Sequence, residues 1–148
     1  MDDPYNLQRF VDAQRPGFES ACRELRQGRK QSHWMWFIFP QLKGLGRSAM
    51  AQRFAISSRE EAEAYLAHPI LGPRLRECSQ IVADLEGHSA EYIFSYPDNM
   101  KFRSSMSLFA QVTANNEIFQ ECLEKYFHGE PDPGTLAALA ALDSLNGR

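Results

Sequence analysis

Hydrophobic positions recur along most of the chain at spacings of three and four, and each series closes on a glycine, a proline or a polar cluster. The first, Leu7, Phe10 and Val11, predicts a short amphipathic helix over residues 6–14, with Asp2 and Asp3 upstream where anions suit its positive end. Pro16 stands where a first helical turn tolerates proline. A second helix is therefore expected to carry the stripe Phe18, Ala21, Cys22 and Leu25 until Gly28. Residues 33–40 read His-Trp-Met-Trp-Phe-Ile-Phe-Pro and hold both tryptophans of the chain. They are apolar on every side, so periodicity does not choose between helix and buried strand. A short buried helix, capped by Ser32 or His33 and ended by Pro40, is expected because no partner strand is evident elsewhere.

Residues 41–47 carry Gly44 and Gly46, read as a loop, and deliver the chain to Ser48 as the N-cap of a helix over 49–54. Ser58 and Glu61 have the spacing of a capping box, opening a helix that runs to Ala67. His68-Pro69 closes it. Gly72-Pro73 then opens the most periodic stripe of the chain, Leu71, Leu75, Cys78, Ile81, Val82 and Leu85. A shorter helix is expected over 89–95, and Pro97 begins another that runs to Val112 with Met100, Phe102, Met106, Phe109 and Ala110 as candidates for burial. Asn115 or Asn116 caps the next, whose face is Ile118, Phe119, Cys122, Leu123, Tyr126 and Phe127. An alanine-rich helix follows Asp132, with Pro133 in its first turn. The pattern predicts an all-α fold, one compact domain over residues 1–148 with about eight to nine helices and no β-sheet.

Composition sharpens this reading only where it excludes something. A chain of 148 residues buries roughly 70% of its unfolded surface, so one core suffices. The net charge of −3 supplies no basic field for a polyanion, and nucleic acid is not an expected partner. One local basic group, Arg23, Arg26, Arg29 and Lys30, fits the C-terminal end of a helix or a small phosphate-bearing ligand. Cys22, Cys78 and Cys122 lack metal-ligand spacing and lie on apolar faces, as buried free thiols would in a reducing compartment. No apolar run approaches the ~18 residues of a membrane span, and the first residues lack the regions of a signal peptide. A cytoplasmic protein without a membrane partner is expected.

Three places can carry chemistry. His33 is a titratable ring at the polar entry to an aromatic segment, where it could move a proton or simply cap a helix. Trp34 and Trp36 could stack a ring, but two positions apart they face different ways on a helix, and one of them belongs to the core. The loop with Gln41, Gly44 and Gly46, ending at Ser48, lets backbone donors approach an anion, although it lacks the spacing of a phosphate-binding loop. On the helix after Pro97, Asp98, Lys101 and Ser105 share a face, with Ser104 and Ser107 beside them. Serines inside a helix of phenylalanines and methionines mark close packing or a ligand. Lys101 could activate Ser105 as a nucleophile, but no oxyanion hole accompanies the pair. The histidines His68, His88 and His128 sit at helix ends, where they suit backbone carbonyls. No metal and no cofactor is indicated.

The string His33-Trp34-Met35-Trp36-Phe37-Ile38-Phe39-Pro40-Gln41, followed by Gly44-Leu45-Gly46-Arg47-Ser48, resembles a family of small, mostly bacterial proteins known as domain of unknown function 1810. The likeness continues through Ala62-Tyr65-Leu66-His68-Pro69-Leu71-Gly72-Arg74-Leu75 and Asp98-Lys101-Ser104-Ser105-Met106-Leu108-Phe109. It implies a mainly helical single domain, no established activity, and signature residues at His33, Trp34, Trp36, Pro40, Gln41, Gly44, Ser48, His68, Pro69, Asp98, Lys101, Ser104 and Ser105. Members often carry the label calpastatin, an inhibitor whose active regions are disordered until bound, whereas this chain has the composition of a folded core. A fainter likeness connects the Lys101 helix with helical proteins that process ADP-ribose and riboflavin-pathway intermediates, whose catalytic glutamate has no counterpart here. Two functions compete on this sequence. One is a pocket for a small anionic, nucleotide-like ligand, with His33 and Lys101 as its chemical groups. The other is an interaction module for an unknown protein partner, whose polar signature residues brace helix ends.

Overall fold

The computed structural model describes residues 2–145; residues 1 and 146–148, which the single-domain expectation also spans, lie outside them. Nine α-helices follow one another among the described residues: α1 (Gln8–Arg26), α2 (Met35–Ile38), α3 (Ala49–Arg53), α4 (Arg59–Ala67), α5 (Leu71–Asp84), α6 (Ala90–Phe94), α7 (Asp98–Val112), α8 (Glu117–Phe127) and α9 (Pro133–Leu145). The all-α expectation holds, and the pairing nearest to a strand is an isolated parallel bridge between Leu42 and Ile56. No helix among the described residues is long and apolar enough to cross a membrane.

The first correction concerns Pro16, which lies inside α1 and does not open a second helix. A proline there removes one backbone bond and costs about 3 kcal/mol in a helix interior. The helix continues because the two apolar stripes are in phase: Phe10, Val11, Gln14, Ala21, Cys22 and Leu25 form one buried face, while Pro16 is exposed. That face packs on α5 and α2, which holds both halves of the helix in line.

Helix α7 is the central element, packed by α4, α6, α8 and α9. Every residue from Ser104 to Ala110 is buried. The three serines are therefore where neighbouring helices approach it. Ser107 donates to the Arg103 carbonyl at 2.7 Å and accepts the Asp132 amide at 2.8 Å, tying α7 to the start of α9. Aromatic rings fill the space on either side. Phe102 stacks on Phe94 at 4.6 Å and meets Phe39 edge-on at 5.0 Å, while Tyr65 joins Phe10 to Phe109.

Some caps match the sequence expectation and others differ from it. Ser48 and Ser89 cap α3 and α6 through their side chains. Trp34, not Ser32 or His33, is the N-cap of α2, and it makes no side-chain cap bond. Ser58 accepts from the Glu61 amide at 3.1 Å, but the Glu61 carboxylate turns instead to the amide and hydroxyl of Ser57 and to Arg9. Asn116 occupies the N-cap of α8, yet its side chain donates to the Ala110 carbonyl. His68 does not serve carbonyls: its Nδ1 accepts from the amides of Ile70 and Leu71, capping α5.

Candidate functional site

Asp98, at the start of α7, stands between two lysines. Lys30 Nζ lies 2.9 Å from Oδ2 and Lys101 Nζ 3.5 Å from Oδ1. Two ammonium groups face one carboxylate, so the cluster retains one positive charge. Lys101 is the outer of the two, with a quarter of its side chain exposed, against a tenth for Lys30. Its ammonium sits 5.5 Å over the Trp36 ring, an arrangement that holds the cation in place without neutralising it.

Lys101 opens onto a cavity of about 310 Å³ lined by Gln41, Leu45, Pro97, Met100, Lys101, Ser104, Asp132 and Gly134. The N-terminal ends of two long helices, α7 and α9, meet there, and each contributes partial positive charge. Asp132 caps α9: its Oδ2 accepts from the amide and the hydroxyl of Thr135 at 3.0 and 2.6 Å. Ser104 Oγ lies 3.1 Å from that same oxygen and 3.1 Å from the Met100 carbonyl.

A second cavity, of about 460 Å³, adjoins the glycine loop and is lined by Gln41, Leu42, Lys43, Gly44, Gly46, Ala51, Gln52, Ala55 and Ser57. Gln41 lines both cavities. The foot of the loop is fixed by the bridge at Leu42, where Lys43 N donates to the Ile56 carbonyl at 2.8 Å and Ile56 N to the Gln41 carbonyl at 2.9 Å.

The structure thus brings Gln41, Lys101 and Ser104 together, with Asp98 and Trp36 beside them, and places Gly44 and Gly46 around the adjoining cavity. The other expected residues stand apart. His33 is exposed and lines neither cavity. Trp34 is buried and donates from Nε1 to Glu24 at 2.9 Å. Ser48 spends its hydroxyl as the cap of α3, accepting from Ala51 N at 3.0 Å. Ser105 is fully buried, and its hydroxyl has no partner among the described residues. Replacing it by alanine removes an unsatisfied polar group, and we expect Ser105→Ala to raise stability by about 1 kcal/mol in urea unfolding.

Three residues of this region were not singled out as site residues. Asp132 showed only as the residue before a helix-opening proline, and Lys30 only as part of a basic turn. Glu24 gave no signal at all, because a buried carboxylate reads in sequence as one more polar position on a helix. In the structure it accepts from the amides of Gln31 and Ser32, the Ser32 hydroxyl and Trp34 Nε1, and so fixes the turn that carries Lys30 to Asp98. Arg23 and Arg26 lie in the last turn of α1, as a solvated helix end requires.

The fold and these cavities define a small all-α protein with a two-part depression at the junction of one loop and two helix starts. The chain belongs to the family described as protein of unknown function (DUF1810), whose model matches residues 4–139. It is similar to the conserved hypothetical protein Rv1873 from Mycobacterium tuberculosis, whose crystal structure shares 54% identity and a TM-score of 0.92, covering 93% of this chain and 99% of that one. No functionally curated protein matches the chain.

Proposed function

We propose that the protein binds a small anionic ligand of the nucleotide or sugar-phosphate class in the cavity beside Lys101. One observation carries the reading: Gln41, Lys101 and Ser104, far apart in sequence, converge on one cavity where Lys101 retains the charge that Asp98, already paired with Lys30, leaves over. Lys101 pairs with the anion, Gln41 supplies a side-chain amide, and Asp132 offers acceptor capacity to ligand hydroxyls. Leu45, Pro97 and Met100 form the apolar wall. The volume is at the small end of ligand pockets, which fits a compact ligand.

The interaction-module reading draws support from a different set of residues. Ser48, Ser107 and His68 are all satisfied by the protein's own backbone, and Tyr96, next in sequence to Pro97, and Met100 of the cavity wall are exposed. These polar residues therefore need no ligand to explain them, whereas Lys101 shares Asp98 with Lys30 and the Gln41 side-chain amide has no partner among the described residues.

A thermal-shift screen against nucleotides, sugar phosphates and ADP-ribose separates the two readings. Ligand at ~100 times its dissociation constant adds about 2.7 kcal/mol to stability. We expect the shift to vanish in Lys101→Ala and to survive in His33→Ala, an exposed position outside the lining. No shift in the wild type, with capture of a protein partner abolished by Tyr96→Ala, would overturn the ligand reading.

A further inference from the structure

We infer that the glycine-loop cavity is a second anion subsite for the ligand held at Lys101, so that this ligand is a small molecule with an anionic group at each end, of the sugar-bisphosphate class. The inference rests on the reading of the Lys101 cavity given above.

The two cavities share a wall. Gly44 and Gly46 face the larger, Leu45 the smaller, and Gln41 lines both. The side-chain amide of Gln41 is half-buried and has no hydrogen-bond partner among the described residues. It therefore stands with a donor and an acceptor unspent at the junction, where the middle of a bridging molecule would lie.

The larger cavity has the chemistry of an anion site. Lys43 is its one charged lining residue, is exposed, and forms no ion pair among the described residues. No carboxylate and no aromatic ring lines it, which disfavours both a cation and a stacked base. Ser57, which lines it, donates to Glu61, a carboxylate already engaged by Arg9 at 2.9 Å. The backbone amides of Gly44 and Gly46 also make no hydrogen bond among the described residues. Gly44 has φ +95°, a conformation glycine adopts without strain, and a Cβ there would meet nothing within 4 Å. At Gly46 a Cβ would fall 2.6 Å from the Ala51 Cβ, so the loop backbone is pressed onto α3.

The bridge at Leu42 and Ile56 fixes the base of the loop, and Leu45 Cδ2 lies 3.7 Å from the Cβ position of Gly134 at the start of α9. The two lysines are thus mounted on structure that holds their cavities side by side. A ligand with two anionic ends then gains its second contact intramolecularly, which multiplies affinity, whereas a monoanionic ligand does not.

Calorimetric titration of wild type, Lys43→Ala and Lys101→Ala with glucose 6-phosphate and fructose 1,6-bisphosphate at constant ionic strength tests this. In the wild type the bisphosphate is expected to bind ~10-fold tighter or more than the monophosphate. Lys43→Ala should abolish that advantage, and Lys101→Ala should weaken both. Equal binding of the two ligands, or an advantage that survives Lys43→Ala, would overturn the bridging inference while leaving the Lys101 reading intact. Failure of both ligands to bind the wild type would overturn the bridging inference, and the Lys101 reading falls with it only where nucleotides and ADP-ribose give no thermal shift either.

Discussion

Gly72→Ala is expected to destabilise the protein by about 3 kcal/mol or more, lowering Tm by ~10 °C, although alanine is the better helix former. Gly72 is buried in the first turn of α5, and a Cβ built there would lie 2.0 Å from the Leu66 carbonyl oxygen and 2.9 Å from its carbon. Both are backbone atoms of α4, so no side chain can swing aside. The helices must separate instead. Separation displaces Tyr65, which is fully buried, meets Phe10 edge-on at 5.0 Å and accepts from the Gln14 amide at 3.1 Å. Gly87→Ala makes the useful contrast. Gly87 has φ +76° with nothing within 4 Å of a new Cβ, so its replacement costs only the left-handed backbone penalty, about 1 kcal/mol. Urea unfolding of both variants at unchanged m decides the matter. A Gly72→Ala midpoint equal to that of Gly87→Ala or higher would show that α4 and α5 are not locked by this contact.

Much of the fold was legible because each helix carries its own punctuation. Ser48, Ser58 and Ser89 mark three N-termini and act there as side-chain caps. Gly28 and Gly129 follow α1 and α8 in the left-handed region, where glycine is the least strained residue. Pro16 misled because a proline is judged locally, as a residue that fits a first turn, while the continuity of α1 is decided by the face it presents to α5. Glu61 misled for a related reason. Sequence spacing offers it the backbone of Ser58, but folding brings Arg9 from α1 to one carboxylate oxygen, and the other oxygen accepts from the amide and hydroxyl of Ser57 instead.

Of the candidate site, individual side chains were legible and their partnerships were not. Asp98 and Lys101 are three apart on one helix, so their pairing follows from spacing alone. That Lys30 also reaches Asp98, which alone leaves Lys101 with charge to offer, depends on a turn held by a carboxylate on another helix. The same limit applies to the serines. Their composition announced close packing or a ligand, and only the packing of α9 on α7 shows that Ser104 and Ser107 both meet Asp132, one at its side chain and the other at its amide. His33 entered as a titratable ring at the polar entry to an aromatic segment, and Ser48 as the end of a glycine loop at a helix start, signals that also fit a solvated turn and a helix cap.

Glu24 is where core stability and the site join, and Glu24→Gln is expected to cost about 3 kcal/mol at pH 7. Burial alone would push its carboxyl pKa up. The hydrogen bonds from the Ser32 hydroxyl, the Gln31 amide, Trp34 Nε1 and the Ser32 amide outweigh burial and bring it from 4.5 down to about 2. A folded-state value below the unfolded one means that the unfolded chain binds more protons in between. The stabilisation is therefore complete above pH ~5, declines as pH falls through the interval, and is gone below pH ~2. A displacement of this size corresponds to about 3 kcal/mol. Glutamine keeps the shape but sets an NH₂ group against donors that need an acceptor, so the variant should lose most at neutral pH and converge on the wild type toward pH 2. Unfolding midpoints measured from pH 7 to pH 2 show this as a wild-type limb steeper than that of the variant. Parallel limbs would mean that the Glu24 carboxylate is not the source of the acid sensitivity. The variant has a second expected consequence. Loosening the turn that Glu24 holds frees Lys30 from Asp98, and Asp98 then draws on Lys101 at 3.5 Å as its remaining partner. Anion affinity at the Lys101 cavity should fall in Glu24→Gln even though no lining residue has changed, and Lys30→Met, which removes the same ammonium without touching the carboxylate network, should reproduce that loss with a much smaller effect on stability.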